Sequence, residues 1–411
     1  MDEESSENNR KKSKYNREID DFELELEKVL LEAEDDQCTH SIRLGNLCCN
    51  CGKEIKTTNN LVNVAHNSDK ILQTFEDAYK MHLEHFYELS KNKKLILLCD
   101  LDQTLIHATM DESDCDFKFT IDSISFYVKK RPGLDRFLSK LNELFELHVY
   151  TMGSRSYADK ICENIDPNKK YFGDRIISRT ENNNELKKYI KRIFSFEKHV
   201  LALDDRVDVW DFIGNVIAIK PFCYYNITDI NDPGKINSNT FIDQSLADLS
   251  EEVKNEIVKN VKDEFDELTV KETNISDKAV VKDVELKGVY NELRKIHKKY
   301  FMKLNKIMAN KQIEDVDVDK ITDVSDIARS KIFRGKYFIC KSRYTKIIRF
   351  LGGKVIKPAD FDFYKDVESV YVINDIKTAS KYKIESLDDF WLIECLHSRK
   401  FVDTKLFIQK Y

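Results

Sequence analysis

Glycine and proline are scarce, 11 and 5 residues in a chain of 411. With so few backbone breakers, long structureless insertions within the body of the protein are not expected. Also missing is any apolar run near the roughly 18 residues a bilayer span requires, so no membrane partner is expected. The opening stretch MDEESSENNRKKSKYNREIDD has no apolar core of a signal peptide, which argues against secretion. No surplus of positive charge exists either. The 67 basic and 73 acidic residues leave a net charge of −6, without the whole-chain basic signature of direct nucleic-acid binding. Ten cysteines form no evident disulfide framework, which fits an intracellular, reducing compartment.

What is present is 41% hydrophobic and 34% charged sequence, enough for two or three domains. Residues 1–35 are polar and partly disordered, with a charged, leucine-bearing helix expected through IDDFELELEKVLLEAE. Residues 36–60 hold a compact Cys/His cluster, and 61–92 read as a helical lead-in. Between 93 and 244 short apolar runs (LILLC, LFELHVYT, KHVLALDD, NVIAIKPF) alternate with amphipathic stretches (LDRFLSKLNE, SRSYADKICENI, ELKKYIKRIF). That alternation predicts strands separated by helices, hence an α/β doubly wound parallel sheet. Ligands of such sheets bind beyond the carboxyl ends of the strands, where Asp100, Asp102, Thr151, Asp204 and Asp205 stand. Residues 245–311 are helical: SEEVKNEIVKNVKDEFDEL and ELKGVYNELRKIHKKYFMKLNKIM both carry apolar side chains three or four apart. His297 on the second stripe reads as a packed histidine. Residues 312–328 read as an acidic linker, and 329–411 as an independent unit.

The acids carry the chemistry. Asp100 and Asp102 end a buried-looking strand, and Asp204 and Asp205 end another. Two unit charges ~4 Å apart repel by about 4 kcal/mol at an effective dielectric near 20. Bringing four together therefore requires cations, and Mg²⁺ suits an all-oxygen ligand set. A carboxylate that attacks phosphorus also fits, because a metal lets anion approach anion.

D-L-D-Q-T (100–104) resembles the first motif of the haloacid-dehalogenase-like phosphotransferases. More narrowly, LLCDLDQTLIHA, KKRPGLDRFL, LHVYTMGSRSYA, DRIISR, LKKYIKRIF and ALDDRVDVW, in that order, resemble RNA polymerase II C-terminal-domain phosphatases of the TFIIF-associating type. The resemblance implies Asp100 as nucleophile and Asp102 as general acid and base. It implies Mg²⁺ held by Asp100, Asp204 or Asp205 and the Asp102 backbone carbonyl. Thr151 and backbone amides near Met152 and Gly153 would bind phosphoryl oxygens. Lys188, or Lys187 if the register slips by one, would offset negative charge around Asp100. Arg131 would contact the substrate phosphate or its flanking peptide.

Each residue also has a plainer role. A strand-end Asp often caps a helix, Lys187 and Lys188 could be solvated charges, and Arg131 a surface arginine. Thr104 reads as bonding the turn, His107 as loop packing, and Arg206 and Trp210 as braces for the loop. Ser195 stands where the family usually has proline, which should affect a turn and not the chemistry.

Two modules flank this unit. Cys38, His40, Cys48 and Cys51, with Gly52 behind, resemble a zinc knuckle; the alternative is that the cysteines are simply free thiols, with Cys49 as a competing ligand. From 329, SKIFRGKYFICK, IIRFLGGKVI, VYVIND and DDFWLIECLHSRKF resemble a BRCT domain, with Gly352-Gly353 for a tight turn and Trp391, four before Cys395, for the core. Lys341-Ser342 stands where some BRCT domains have the Ser/Thr-Gly of a phosphopeptide pocket, so one wall of the substrate groove is the expected role instead.

The expectation is thus a haloacid-dehalogenase-like sheet with a helical insert and a C-terminal BRCT α/β domain. Its implied activity is Mg²⁺-dependent dephosphorylation of serines in the RNA polymerase II repeat tail, in the nucleus. The resemblance adds TFIIF as a partner, through an acidic tail that longer relatives carry; ending at Tyr411 argues against that contact. The rival expectations are a small-molecule phosphatase or phosphomutase of the same superfamily, and a catalytically idle BRCT scaffold. Intact acids argue against the scaffold, and Asp102 argues against a dehalogenase, which needs no such acid.

Overall fold

The computed structural model describes residues 38–56, 61–63, 68, 70–182, 185–225, 283–309, 311–364 and 369–409. The helix expected near the N-terminus and the apolar stripe of 250–268 lie outside them. No helix among the described residues is long and apolar enough to cross a membrane.

The chain opens with four short strands, β1 (Ile42–Leu44), β2 (Leu47–Cys48), β3 (Leu61–Asn63) and β4 (Ile71–Thr74), in an antiparallel sheet of order β2-β1-β4-β3. Strand β4 runs straight into α1 (Phe75–Lys91), with the Thr74 hydroxyl accepting from the Asp77 amide as N-cap. The 61–92 lead-in is therefore helical only from Phe75. Thr74 ends the strand because its side chain serves the helix start.

Then comes β5 (Leu95–Cys99), every residue of which is fully buried. A short antiparallel sheet of order β6-β8-β7 follows, from β6 (Ile106–Thr109), β7 (Phe117–Ile121) and β8 (Ile124–Lys130). Its hairpin turns on Asp122 and Ser123, both with positive φ (47° and 67°), the mirror-image geometry that matches strand twist. Next are α2 (Leu134–Leu141), β9 (Phe145–Tyr150), α3 (Arg155–Ile165), β10 (Ile176–Ile177), β11 (Val200–Asp204) and β12 (Val216–Ala218).

The five parallel strands of the central sheet lie in the order β10-β9-β5-β11-β12. The chain builds outward from β5 on one side, through β9 and β10, then returns to add β11 and β12 on the other. The topological switch point, where a crevice must open, is thus at β5. Alternate side chains of β5 feed two cores: Leu95, Leu97 and Cys99 face α2, α3 and a later helix, whereas Ile96 and Leu98 face Phe194 and Trp210.

That later helix is α4 (Glu285–Met308), whose stripe Leu286, Val289, Leu293, Ile296, Tyr300, Phe301 and Leu304 is buried in the first core. His297 lies beside it, its ring edge-on to Phe145 and Nε2 2.7 Å from the Lys93 carbonyl. Residues 312–328 are no free linker: Ile313, Val316, Ile321 and Val324 are buried in the same core. Their spacing among the acids anchors the segment, which ends in the short α5 (Ser325–Ala328).

The C-terminal unit is a parallel sheet of order β14-β13-β15-β16, from β13 (Tyr337–Ile339), β14 (Lys354–Val355), β15 (Val370–Ile373) and β16 (Ser386–Leu387). Helices α6 (Thr345–Phe350), α7 (Ile376–Tyr382) and α8 (Phe390–Ser398) accompany it. Trp391 is fully buried, stacked on Phe333 and donating its indole N–H to the Val402 carbonyl. A Cβ on Gly353 would sit 2.7 Å from the Phe338 ring, and Gly352 has φ +90°. The unit docks on the first through Phe350 against Phe212, Lys346 with Asp211 at 2.7 Å, and Arg399 with Glu285 and Glu292.

Candidate active site

Three of the sheet's five strands deliver the site. Asp100 follows β5, Thr151 follows β9, and Asp204 closes β11 with Asp205 next. Adjacent parallel strands in register bring these ends side by side, and one carboxylate oxygen each from Asp100, Asp204 and Asp205 lies within 4.8 Å of the others. The separated acids do meet.

Lys188 lies between them, 2% exposed, its Nζ 2.7 Å from Asp100 Oδ1 and 2.6 Å from Asp204 Oδ2. Burial alone would lower its pKa, but the two carboxylates overcome that penalty and hold it raised, so the side chain stays charged. Lys187 instead reaches the Asp208 carbonyl, which removes the ambiguity of register.

The expected helix ELKKYIKRIF does not form; only a 3-10 turn at Ile190–Arg192 does. The segment is tied down as an extended strap. Asn182 donates to the Glu185 and Lys187 carbonyls and accepts from Tyr150 Oη, and the Lys188 amide donates to the Val209 carbonyl. Those bonds displace the i to i−4 ladder and aim Lys188 inward. Ser195 donates its amide to His82 Nδ1 at 3.0 Å, a bond that proline could not make.

Asp204 is held in place: Oδ2 also accepts from the Trp210 indole (2.8 Å) and Oδ1 from the Arg206 amide (2.8 Å). Thr104 Oγ1 donates to Asp205 Oδ1 and accepts from the Asp205 amide, both at 3.1 Å, locking the DxDxT turn to the second acidic loop. Asp102 accepts at Oδ1 from Tyr157 Oη at 2.6 Å. Nothing in the residue pattern singles out Tyr157; its position three after the Ser154 N-cap of α3 is the only signal. Gly153 makes room for it, since a Cβ there would fall 2.6 Å from the Tyr157 ring. The Gly153 amide is itself engaged by Thr151 Oγ1 at 3.0 Å, and Thr151 is 1% exposed.

Arg131 is a correction. It is 1% exposed, and its guanidinium bonds Asp283 (2.9 Å) and the carbonyls of Gln103 (3.4 Å), Thr104 (3.0 Å) and Lys220 (2.7 Å). Those acceptors come from three separate segments, so the fork knits the DxDxT turn to the exit of β12 and the start of α4 rather than meeting substrate. His107 is loop packing, its Nδ1 accepting from the Tyr224 and Tyr225 amides.

An oxygen-only set of three carboxylates fits a hard divalent ion, and the wedged lysine leaves net negative charge for it. Elsewhere, Cys38, His40, Cys48 and Cys51 also converge, their ligand atoms all within 4.8 Å of one another. The Cys51 backbone N–H, then His40, pull the Cys48 thiol down to about 6.

The family described as NLI interacting factor-like phosphatase matches residues 95–263, the stretch that holds every one of these acids. An RNA polymerase II C-terminal domain phosphatase of Encephalitozoon cuniculi is 35% identical over 403 residues, covering 89% of this chain and 93% of that protein. This chain belongs to the RNA polymerase II C-terminal-domain phosphatase family. The human member is 33% identical over 229 residues, and the match covers 49% of this chain and 24% of that one. Among solved structures, the phosphatase Fcp1 superposes with a TM-score of 0.60 at 26% identity, over 80% of this chain and 99% of that one. The fission yeast Fcp1 bound to beryllium fluoride gives 0.59 at 26% identity, over 80% and 100%. The haloacid-dehalogenase-like α/β fold is thus common to this chain and the family's solved members.

Proposed function

We propose that this protein is a Mg²⁺-dependent phosphatase of phosphoserine in the RNA polymerase II repeat tail, working in the nucleus through an aspartyl-phosphate on Asp100. The observation that carries this is the convergence of Asp100, Asp204 and Asp205 around a buried lysine at the switch point, with Asp102 held two residues on by Tyr157.

An Asp100 oxygen attacks phosphorus in line, and the bond from phosphorus to the serine oxygen breaks. Asp102 gives its proton to that oxygen. Asp102 then takes a proton from a water attacking the acyl phosphate, and inorganic phosphate leaves Asp100 a carboxylate again. Asp100, Asp204 and Asp205 would hold Mg²⁺, with the Asp102 carbonyl, and the ion would neutralise phosphoryl charge. Thr151, whose oxygen accepts from the Gly153 amide, keeps its own hydrogen for a phosphoryl oxygen. Lys188 offsets the charge of Asp100 so that anion can approach anion.

The names of the relatives supply the substrate, and beryllium fluoride, a phosphoryl mimic, binds the fission yeast relative. The C-terminal unit, which we assign to the BRCT class, lies against the catalytic unit through the Lys346–Asp211 pair.

Hydrolysis of repeat peptides phosphorylated at one serine each, beside sugar phosphates, tests this. The expected result is peptide turnover lost in Asp100→Asn, in Asp102→Asn and on chelation, with folding intact. Near-full activity in Asp100→Asn, or preference for sugar phosphates, would overturn it.

A further inference from the structure

Small sheets need an apolar core, and in the N-terminal one Leu61, Val62, Ile71 and Leu72 are only half-buried. No Val, Leu, Ile or Phe of β1–β4 is buried among the described residues, and Ile42, Leu44 and Leu47 are 37%, 52% and 51% exposed. Its buried side chains are Arg43, Cys48 and Gln73. Four strands of two to four residues with that interior cannot hold their shape by burial.

We propose that a structural Zn²⁺ on Cys38, His40, Cys48 and Cys51 makes up for that thin core. Two ligand-to-ligand distances are close to those of a tetrahedron. Ligands at the usual Zn–S distance of about 2.3 Å and Zn–N distance of about 2.0 Å stand roughly 3.8 Å apart sulfur to sulfur and roughly 3.5 Å sulfur to nitrogen. Cys38 Sγ to Cys48 Sγ is 3.7 Å and Cys51 Sγ to His40 Nδ1 is 3.3 Å. The turn between the last two cysteines is shaped for thiolates: the Asn50 amide donates to Cys48 Sγ at 3.4 Å, and the Gly52 amide, at φ +72°, closes on the Cys48 carbonyl. Cys49 is exposed and takes no part. Four protein ligands leave no open position for substrate, so the ion is structural.

The site matters beyond its own module because β4 is continuous with α1. Zinc fixes β1 and β2, β1 holds β4 through the Ile42–Gln73 register, and β4 ends in the N-cap of the helix that packs Phe86 beside β5.

The test uses the full chain, purified without chelator or added metal. Elemental analysis should find one zinc per molecule. Cobalt exchanged into the site should give the intense visible bands of a tetrahedral thiolate complex. Cys48→Ser should lose the metal and open residues 38–74 to protease, whereas His40→Cys should keep it. Turnover of p-nitrophenyl phosphate with Mg²⁺ should survive in Cys48→Ser, separating this site from the Asp100 cluster. Folded wild-type protein with less than a tenth of an equivalent of zinc would overturn the proposal. So would a mass two units light under reducing purification, which marks a disulfide, or His40→Cys without metal.

Discussion

Arg131 offers the sharpest test of the structure against the motif. Its guanidinium is 1% exposed and bonds one carboxylate and three carbonyls. Replacing it by Met keeps most of the volume and leaves Asp283, itself 10% exposed, as an uncompensated buried charge. Removing one partner of a buried ion pair costs about 3–5 kcal/mol. In a unit of this size, that lowers the melting temperature by roughly 10–15 °C. The deserted carbonyls of Gln103 and Thr104 also release the turn that carries Asp102, so kcat should fall together with stability. Asp283→Asn keeps an acceptor but strands the more deeply buried Arg131 charge, and should cost a comparable amount, about 3–5 kcal/mol. The double variant should be no less stable than Arg131→Met alone, because the two residues act as a pair. Thermal melts of the four proteins, with steady-state kinetics on p-nitrophenyl phosphate, measure this. If Arg131→Met melts within about 2 °C of wild type while KM rises, Arg131 touches substrate and the brace assigned here is wrong.

Tyr157→Phe keeps the ring against Phe119 and Phe126 but removes the 2.6 Å bond to Asp102, so kcat should fall about tenfold or more while stability falls by only about 1–3 kcal/mol; wild-type kcat would dismiss the role. Gly153→Ala should cost activity by displacing that same ring, and Tyr157→Leu in the same chain should relieve its strain. His107 and His82, buried, are pushed down to about 4 by desolvation, so the folded chain binds their protons far later than the unfolded chain, which does so near 6.5. Their stabilisation is complete above about pH 6.5 and drains as pH falls toward 4, by up to about 3 kcal/mol each. Urea midpoints at pH 7.5, 6 and 5 should fall in that order, and less steeply in His107→Gln; a flat series would refute the assignment.

Strand ends were the most legible part of this chain. A run such as LILLC followed by two acids has few uses other than a buried parallel strand with a site at its end, and a second such strand ends in Asp204-Asp205. Pairing of the two required only the sheet rule. Lys188 was legible through motif order, not through periodicity, and the periodicity around it misled: ELKKYIKRIF has helical spacing, yet Asn182 and the Val209 carbonyl take its backbone bonds. The β7–β8 hairpin went unread although Phe117, Phe119 and Ile121 alternate before a two-residue turn. Arg131 misled for a different reason. Whether an arginine fork meets phosphate or carbonyls depends on Lys220 and Asp283, far off in the chain, and no local pattern records that. Tyr157 is invisible for the same reason, since its partner is 55 residues away.

Helix α4 has a practical consequence. It follows the stretch matched by the family, 95–263, yet its seven buried side chains complete the core beside β5. Each such side chain contributes roughly 1.5–3 kcal/mol on burial, so the loss of all of them is as large as the roughly 5–15 kcal/mol by which a whole domain is stable. A fragment cut at the end of that matched stretch would bring every acid of the site and still be unable to fold around them. The smallest piece that can stand alone must reach past Val324, the last fully buried side chain of that layer, and Ile327 and Ala328, which pack against it.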